Sequence, residues 1–266
     1  MRTLNLSFFL FALFLTACNN SSNTAEGTET PAQETMESSQ KYKLTPFSNS
    51  TMYQGATLQL GSYENGTFDF KVSGAGYELG QQTPDAPQKM CANSAKGQHI
   101  HLIIDNEPYS AQYTSNFDYD IADGEHYLLA FLSRSYHESI KSPGASVLKK
   151  VTVENKSITT SADVAEPMIF YSRPKGTYVG KNETEKVMLD YYLANVNPTM
   201  NYKVKADING EEHMLDYWRP YYIEGLPMGR NKIKLTLVDE NGKAVETPLN
   251  PVTREFMLQP DPTEGQ

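Results

Sequence analysis

Several things that would point to a chemistry are scarce or missing in this chain. Two cysteines, Cys18 and Cys91, cannot build a disulfide framework in 266 residues. Lysine and arginine number 23 against 32 acidic residues, for a formal net charge of −9. Without a basic stripe to hold phosphates, a nucleic-acid partner is excluded. There is no nucleophile elbow, no His-Glu-x-x-His pair and no Gly-rich phosphate loop, and the serines, histidines and aspartates have no catalytic spacing. The chain therefore reads as a non-enzyme that needs no cofactor. Nor is there a credible long amphipathic helix. What the sequence does have is tyrosine, 17 of them beside a single tryptophan, Trp218, in short alternating runs separated by turn signals.

The first residues carry Arg2, an apolar run over 6–15 broken only by Ser7, and then Leu15-Thr16-Ala17-Cys18. The run is too short to cross a bilayer of about 30 Å, which takes roughly 20 residues. The segment resembles a bacterial lipoprotein signal peptide with its lipobox. That resemblance implies cleavage after residue 17, acylation of Cys18 and a protein held in the cell envelope, on the outer membrane, by its lipid. Residues 18–41 are Ser, Thr, Glu, Asn, Gln and Ala with almost nothing apolar, which reads as a flexible tether. Cys91 is then left without a partner and is expected to be buried as a small hydrophobe.

Beyond the tether, the alternation of side chains along an extended chain predicts strands. Runs at 56–62 and 67–72 flank Asn65-Gly66, a strong hairpin signal. Residues 74–96 read as a long loop. Residues 97–106, Gly-Gln-His-Ile-His-Leu-Ile-Ile-Asp-Asn, read as a central strand, followed by strands near 117–121 and 127–132. After a linker at 162–167 the pattern returns at 187–193, 202–208, 221–223 and 233–238. Placing Asp105-Asn106 on Asn209-Gly210 sets Ile100, Leu102 and Ile104 on Val204, Ala206 and Ile208, and Gly124 falls on Gly229. The prediction is an all-β protein of two tandem immunoglobulin-like antiparallel β-sandwiches, over 42–161 and 162–260, with a tail at 261–266.

The repeat isolates one anomaly. Outward positions in the second copy are Lys203, Lys205, Lys232, Lys234 and Thr236; in the first they are His99, His101, Tyr127, Leu129 and Phe131. An aromatic and apolar outer face must be covered by the 74–96 loop, by the second domain or by an external partner. His99 and His101 present two imidazoles from one side of a strand, and His137, in the loop after a strand, is the best third donor for copper or zinc. Two Ser-Arg segments, at Arg134 and Arg173, could hold an anion. The His-x-His-Leu-Ile run, with Gly124-Glu125-His126 and the later His137, resembles small bacterial exported domains of unknown function that carry a His-rich strand. The resemblance covers 70–153, with Gln98 standing first where the richer versions have His. The chain as a whole resembles two-domain bacterial surface lipoproteins, which implies a non-catalytic binding or assembly module for a peptide, glycan or protein. Two alternatives accompany it: copper or zinc binding through His99, His101 and His137, and recognition of an anionic or phosphorylated peptide through Arg134 and Arg173; Tyr127 and Phe131 are further ligand-contact candidates on the first-domain face.

Overall fold

Positive φ angles fix where this chain reverses. Asn65 (φ 52°) and Gly66 (84°), Asn155 (50°) and Lys156 (60°), and Asn209 (50°) and Gly210 (93°) each supply two consecutive left-handed residues. Such pairs match the right-handed twist of the strands they join and so close tight hairpins. The computed structural model describes residues 40–50 and 52–262. The leader at 1–17, Cys18, nearly all of the tether and most of the tail lie outside the described residues, and among those described no helix is long and apolar enough to cross a membrane.

In chain order the strands are β1 (Lys43–Pro46), β2 (Thr57–Glu64), β3 (Thr67–Ser73), β4 (His99–Ile104), β5 (Ser110–Gln112), β6 (Asn116–Asp118), β7 (Gly124–Ser133), β8 (Ser146–Glu154) and β9 (Ser157–Asp163). They continue as β10 (Met168–Arg173), β11 (Gly176–Val179), β12 (Val187–Ala194), β13 (Lys203–Ile208), β14 (Glu211–Leu215), β15 (Tyr221–Glu224), β16 (Gly229–Val238) and β17 (Val252–Gln259). Four sheets result: β2-β3-β6 and β5-β4-β7-β8-β9 in the first half, β1-β15-β12-β10 and β11-β17-β16-β13-β14 in the second. In each half the two sheets share one apolar core, so each is an immunoglobulin-like sandwich.

The predicted repeat is present at the level of register. Ile100, Leu102 and Ile104 of β4 face Leu132, Ala130 and Leu128 of β7. Val204, Ala206 and Ile208 of β13 face Leu237, Leu235 and Ile233 of β16, the same pairs one copy later. The halves differ at their edges. The second sandwich takes in β1, which pairs with β15 although residues 43–46 fall within the range read from sequence as the first domain. It also gains β11, parallel to β17, whereas the first ends on β9, antiparallel to β8.

By contact, the chain from Gln40 onward is one compact unit. The anomalous face of β4 and β7 is covered by the second sandwich. Ile103, Leu129 and Phe131 form one buried cluster with Met168, Phe170 and Tyr192. The turn after β4 clamps the same joint: the Asn106 side chain donates to the Ile169 carbonyl at 2.8 Å and accepts from the Tyr171 N–H at 2.8 Å.

Candidate metal centre

All six residues of β4 are buried, so its two faces do different work. One face, Ile100, Leu102 and Ile104, belongs to the first core. The other carries His99 and His101, both wholly buried, beside Ile103. Alternation places the two imidazoles on one side, their rings 4.8 Å apart and 29° from parallel. The strand is entered through Gly97 (φ 86°), where a Cβ would lie 2.4 Å from the Gly80 carbonyl oxygen. Only glycine fits there. The Gly97 carbonyl then accepts from His99 Nδ1 at 2.8 Å.

His137 arrives from the loop that follows β7. Ser133 and Ser139 bridge across that loop, Arg134 N–H donates to the Glu138 carbonyl at 2.9 Å, and His137 N–H donates to the Arg134 carbonyl at 2.8 Å. The tight turn leaves His137 at φ 69°, a conformation that a histidine seldom adopts. Its Nδ1 stands 3.1 Å from His99 Nε2, and His99 Nε2 stands 2.9 Å from His101 Nε2. One nitrogen from each ring lies within 4.8 Å of the other two.

Proton accounting at this cluster is informative. A carbonyl can only accept, so His99 Nδ1 bears the proton and its Nε2, in the neutral ring, offers one lone pair. Two other ring nitrogens approach that single lone pair, at 2.9 and 3.1 Å. Hydrogen bonding can satisfy one of them in line. A cation among the three nitrogens accepts all three lone pairs at once, and the Nδ1–H bond to Gly97 is the kind of outer contact that orients a ligating histidine.

The surroundings keep the rings neutral. His99 is lowered to about 4 by burial, against the pull of the Gly97 carbonyl and with help from Arg173 and Lys175. His101 and His137 are lowered well below the ordinary value, again by burial first, with Arg173, Lys175 and the other imidazoles adding to it. Tyr109 lies flat on His101, ring centroids 3.7 Å apart and 5° from parallel, and its hydroxyl is 3.3 Å from His137 Nδ1. Burial pushes that hydroxyl up to about 12. Ser172 Oγ reaches His101 Nδ1 at 3.2 Å, so the second sandwich supplies one wall.

No family model matches this chain, and no curated protein does. Among solved structures, the chain is similar to fibronectin(III)-like modules of Clostridium thermocellum CbhA, with 14% identity over 77% of this chain and 95% of that one at a TM-score of 0.28. It is also similar to a Ca2+-stabilized adhesin that helps an Antarctic bacterium bind ice, with 12% identity over 77% of this chain at a TM-score of 0.22. The match spans about half, 49%, of the adhesin chain. At such scores the fold rests on strand order and register alone.

The other residues singled out from sequence separate. Phe131, read as an outer-face ligand contact, is fully buried and stacks on Tyr192 at 5.0 Å; Tyr127, read the same way, is half-buried against the same cluster. A sequence pattern marks an apolar face but not which element will lie on it. Arg134 approaches Glu138 at 3.7 Å and the Tyr53 ring at 5.3 Å, on a cleft of about 480 Å³ shared with Lys141 and Trp218. Arg173 instead has no acidic partner among the described residues, giving Nε and Nη2 to the Tyr178 hydroxyl at 3.1 and 2.8 Å. Cys91 is half-buried against Phe47, Tyr136 and Met188, and burial pushes its thiol up to about 11. His126 ties its turn to Asp105 at 2.5 Å. Tyr109 and Lys175 were not found from sequence. The Pro-x-Gly after Arg173 marks a turn there, but no local pattern says which strand the turn will face.

Proposed function

We propose that this is a lipid-anchored protein of the bacterial cell envelope whose two-sandwich body is a non-catalytic binding module, and that it holds one copper or zinc ion on His99, His101 and His137. The observation that carries the metal reading is the meeting of three ring nitrogens at 2.9 and 3.1 Å around a His99 tautomer fixed by a backbone carbonyl. A fourth position is left for water or another ligand, as in open three-histidine sites. The Leu-Thr-Ala-Cys segment supports the anchor at Cys18.

Two experiments test these statements. Titration of the soluble chain beginning at residue 40 with copper and zinc should give one ion per chain. At a hundredfold excess over Kd it should stabilise the fold by about 2.7 kcal/mol. His137→Asn, chosen because asparagine tolerates the left-handed backbone there, and His101→Gln should each abolish stoichiometric binding. Binding that persists in both variants would sink the triad. For the anchor, Cys18→Ser should lose incorporation of a fatty-acid probe and leave the membrane fraction; label retained by the variant refutes acylation at that residue.

A further inference from the structure

The wall that the second sandwich turns toward the triad is built around an irregularity in β10. Pairing with β12 runs in register to Tyr171↔Tyr191, then shifts so that Arg173 faces Asp190 and Ser172 is the extra residue. Bulges of this kind re-aim side chains and recur beside functional sites. Here Ser172 reaches His101, and Lys175, just beyond, lies 4.0 Å over the ring of Tyr109 that covers the same imidazole.

Two cations thus flank the triad, and among the described residues neither has an acidic partner. Asp190, opposite Arg173 in the ladder, spends its carboxylate on Ser139 and on Lys141 at 3.1 Å. Arg173 is 6% exposed, its Nε and Nη2 held by the Tyr178 hydroxyl, and its Nη1 is buried with no hydrogen-bond partner among the described residues. Lys175 gives its ammonium to the Tyr109 carbonyl at 2.6 Å. Arg254 is near enough to act on Lys175, with Glu107 as its own acidic neighbour; it gives Nη2 to the Asn106 carbonyl at 2.6 Å, and its Nε is buried without a hydrogen-bond partner among the described residues. Buried charge without a counter-charge is costly, and a metal ion beside it adds further positive charge. An anion resolves both.

We infer that Arg173 and Lys175 form the binding site of a small oxyanion, of the phosphate or carboxylate class, lying against the histidine triad. The free Nη1 supplies a directed donor, the lysine a point charge, and half-buried His137 and Lys175 mark the side open to solvent. The inference goes beyond the metal reading and does not need it, because the cations are uncompensated whether or not an ion sits on the histidines. With metal bound, the same anion would take the open coordination position, and anion and metal would then raise each other's affinity by the same factor.

The test is a calorimetric titration of inorganic phosphate into the chain from residue 40 in chelator, with chloride at equal ionic strength as control and sulfate and acetate to define the class. One phosphate per chain is expected, with Kd raised at least tenfold in Arg173→Gln and in Lys175→Met. The lysine variant, altered at a half-buried position, decides the matter if the arginine variant does not fold. Lack of saturable phosphate binding by the parent, or equal binding by parent and variants, overturns the inference. Because the titration is metal-free, failure of the metal reading leaves its result standing. A second titration on protein loaded with zinc should show tighter phosphate, and weaker phosphate there would refute a shared position.

Discussion

His99 stays neutral in the folded chain down to about pH 4, whereas the same side chain in the unfolded chain takes up its proton near 6.5. Between those values the unfolded state binds a proton that the folded state refuses, so stability rises with pH. The contribution is complete above about 6.5 and is lost as pH falls toward 4. His101 and His137 are shifted in the same direction. Urea melts of metal-free protein between pH 4 and 7 should therefore show stability climbing with pH, with a shallower climb in His137→Asn. Equal slopes in parent and variant would mean that His137 titrates in the fold as it does in the unfolded chain. At this scale the sequence said which three histidines to watch, since alternation puts two on one face and a post-strand loop offers the third. It did not reveal that Tyr109 would stack on one of them, because that contact depends on how β5 and its approach fold back across β4.

At the scale of elements, the turn and alternation signals carried far. Asn65-Gly66 and Asn209-Gly210 mark hairpins because those residues tolerate the positive φ that the turns require, and the structure has them there. The repeat was legible because both halves bury the same alternating face, which fixes register to the residue. Several strands stayed hidden, the alternating β14 and β17 among them, and β10 was missed for a physical reason. Every residue of β10 is buried, so Met-Ile-Phe-Tyr-Ser-Arg shows no period of two. Each sheet of a sandwich ordinarily buries one face, but β10 is covered on both, by its own core and by the first half. The exchange of β1 into the second sandwich was equally invisible. Lys-Leu-Thr-Pro would satisfy the free edge of either sheet, and nothing local names the partner.

The whole molecule behaves as two sandwiches that share a third core. Phe131 and Tyr192 stack across the joint, Asn106 satisfies backbone groups at Ile169 and Tyr171, and Lys141 of the first half pairs with wholly buried Asp190 of the second. These contacts, together with β1, are expected to make the halves unfold as one cooperative unit. The chain from residue 40 should melt in a single transition by calorimetry and by near-ultraviolet circular dichroism. Phe131→Ala should lower its stability by about 3–5 kcal/mol, the range for emptying a buried aromatic site. Two resolved transitions in the parent, or a variant that destabilises only one of them, would mean that the sandwiches unfold independently.

The bulge of β10 reaches the triad and Tyr109, which all belong to the first half, only because the halves dock in this way, and the proposed metal site lies at that joint. It can be located directly, in crystals grown with copper or zinc, from anomalous difference maps recorded on either side of the absorption edge of the metal. A single peak about 2.0–2.1 Å from His99 Nε2, His101 Nε2 and His137 Nδ1 is the expected result. A map with no peak among those three nitrogens, at metal concentrations that saturate the titration, contradicts it.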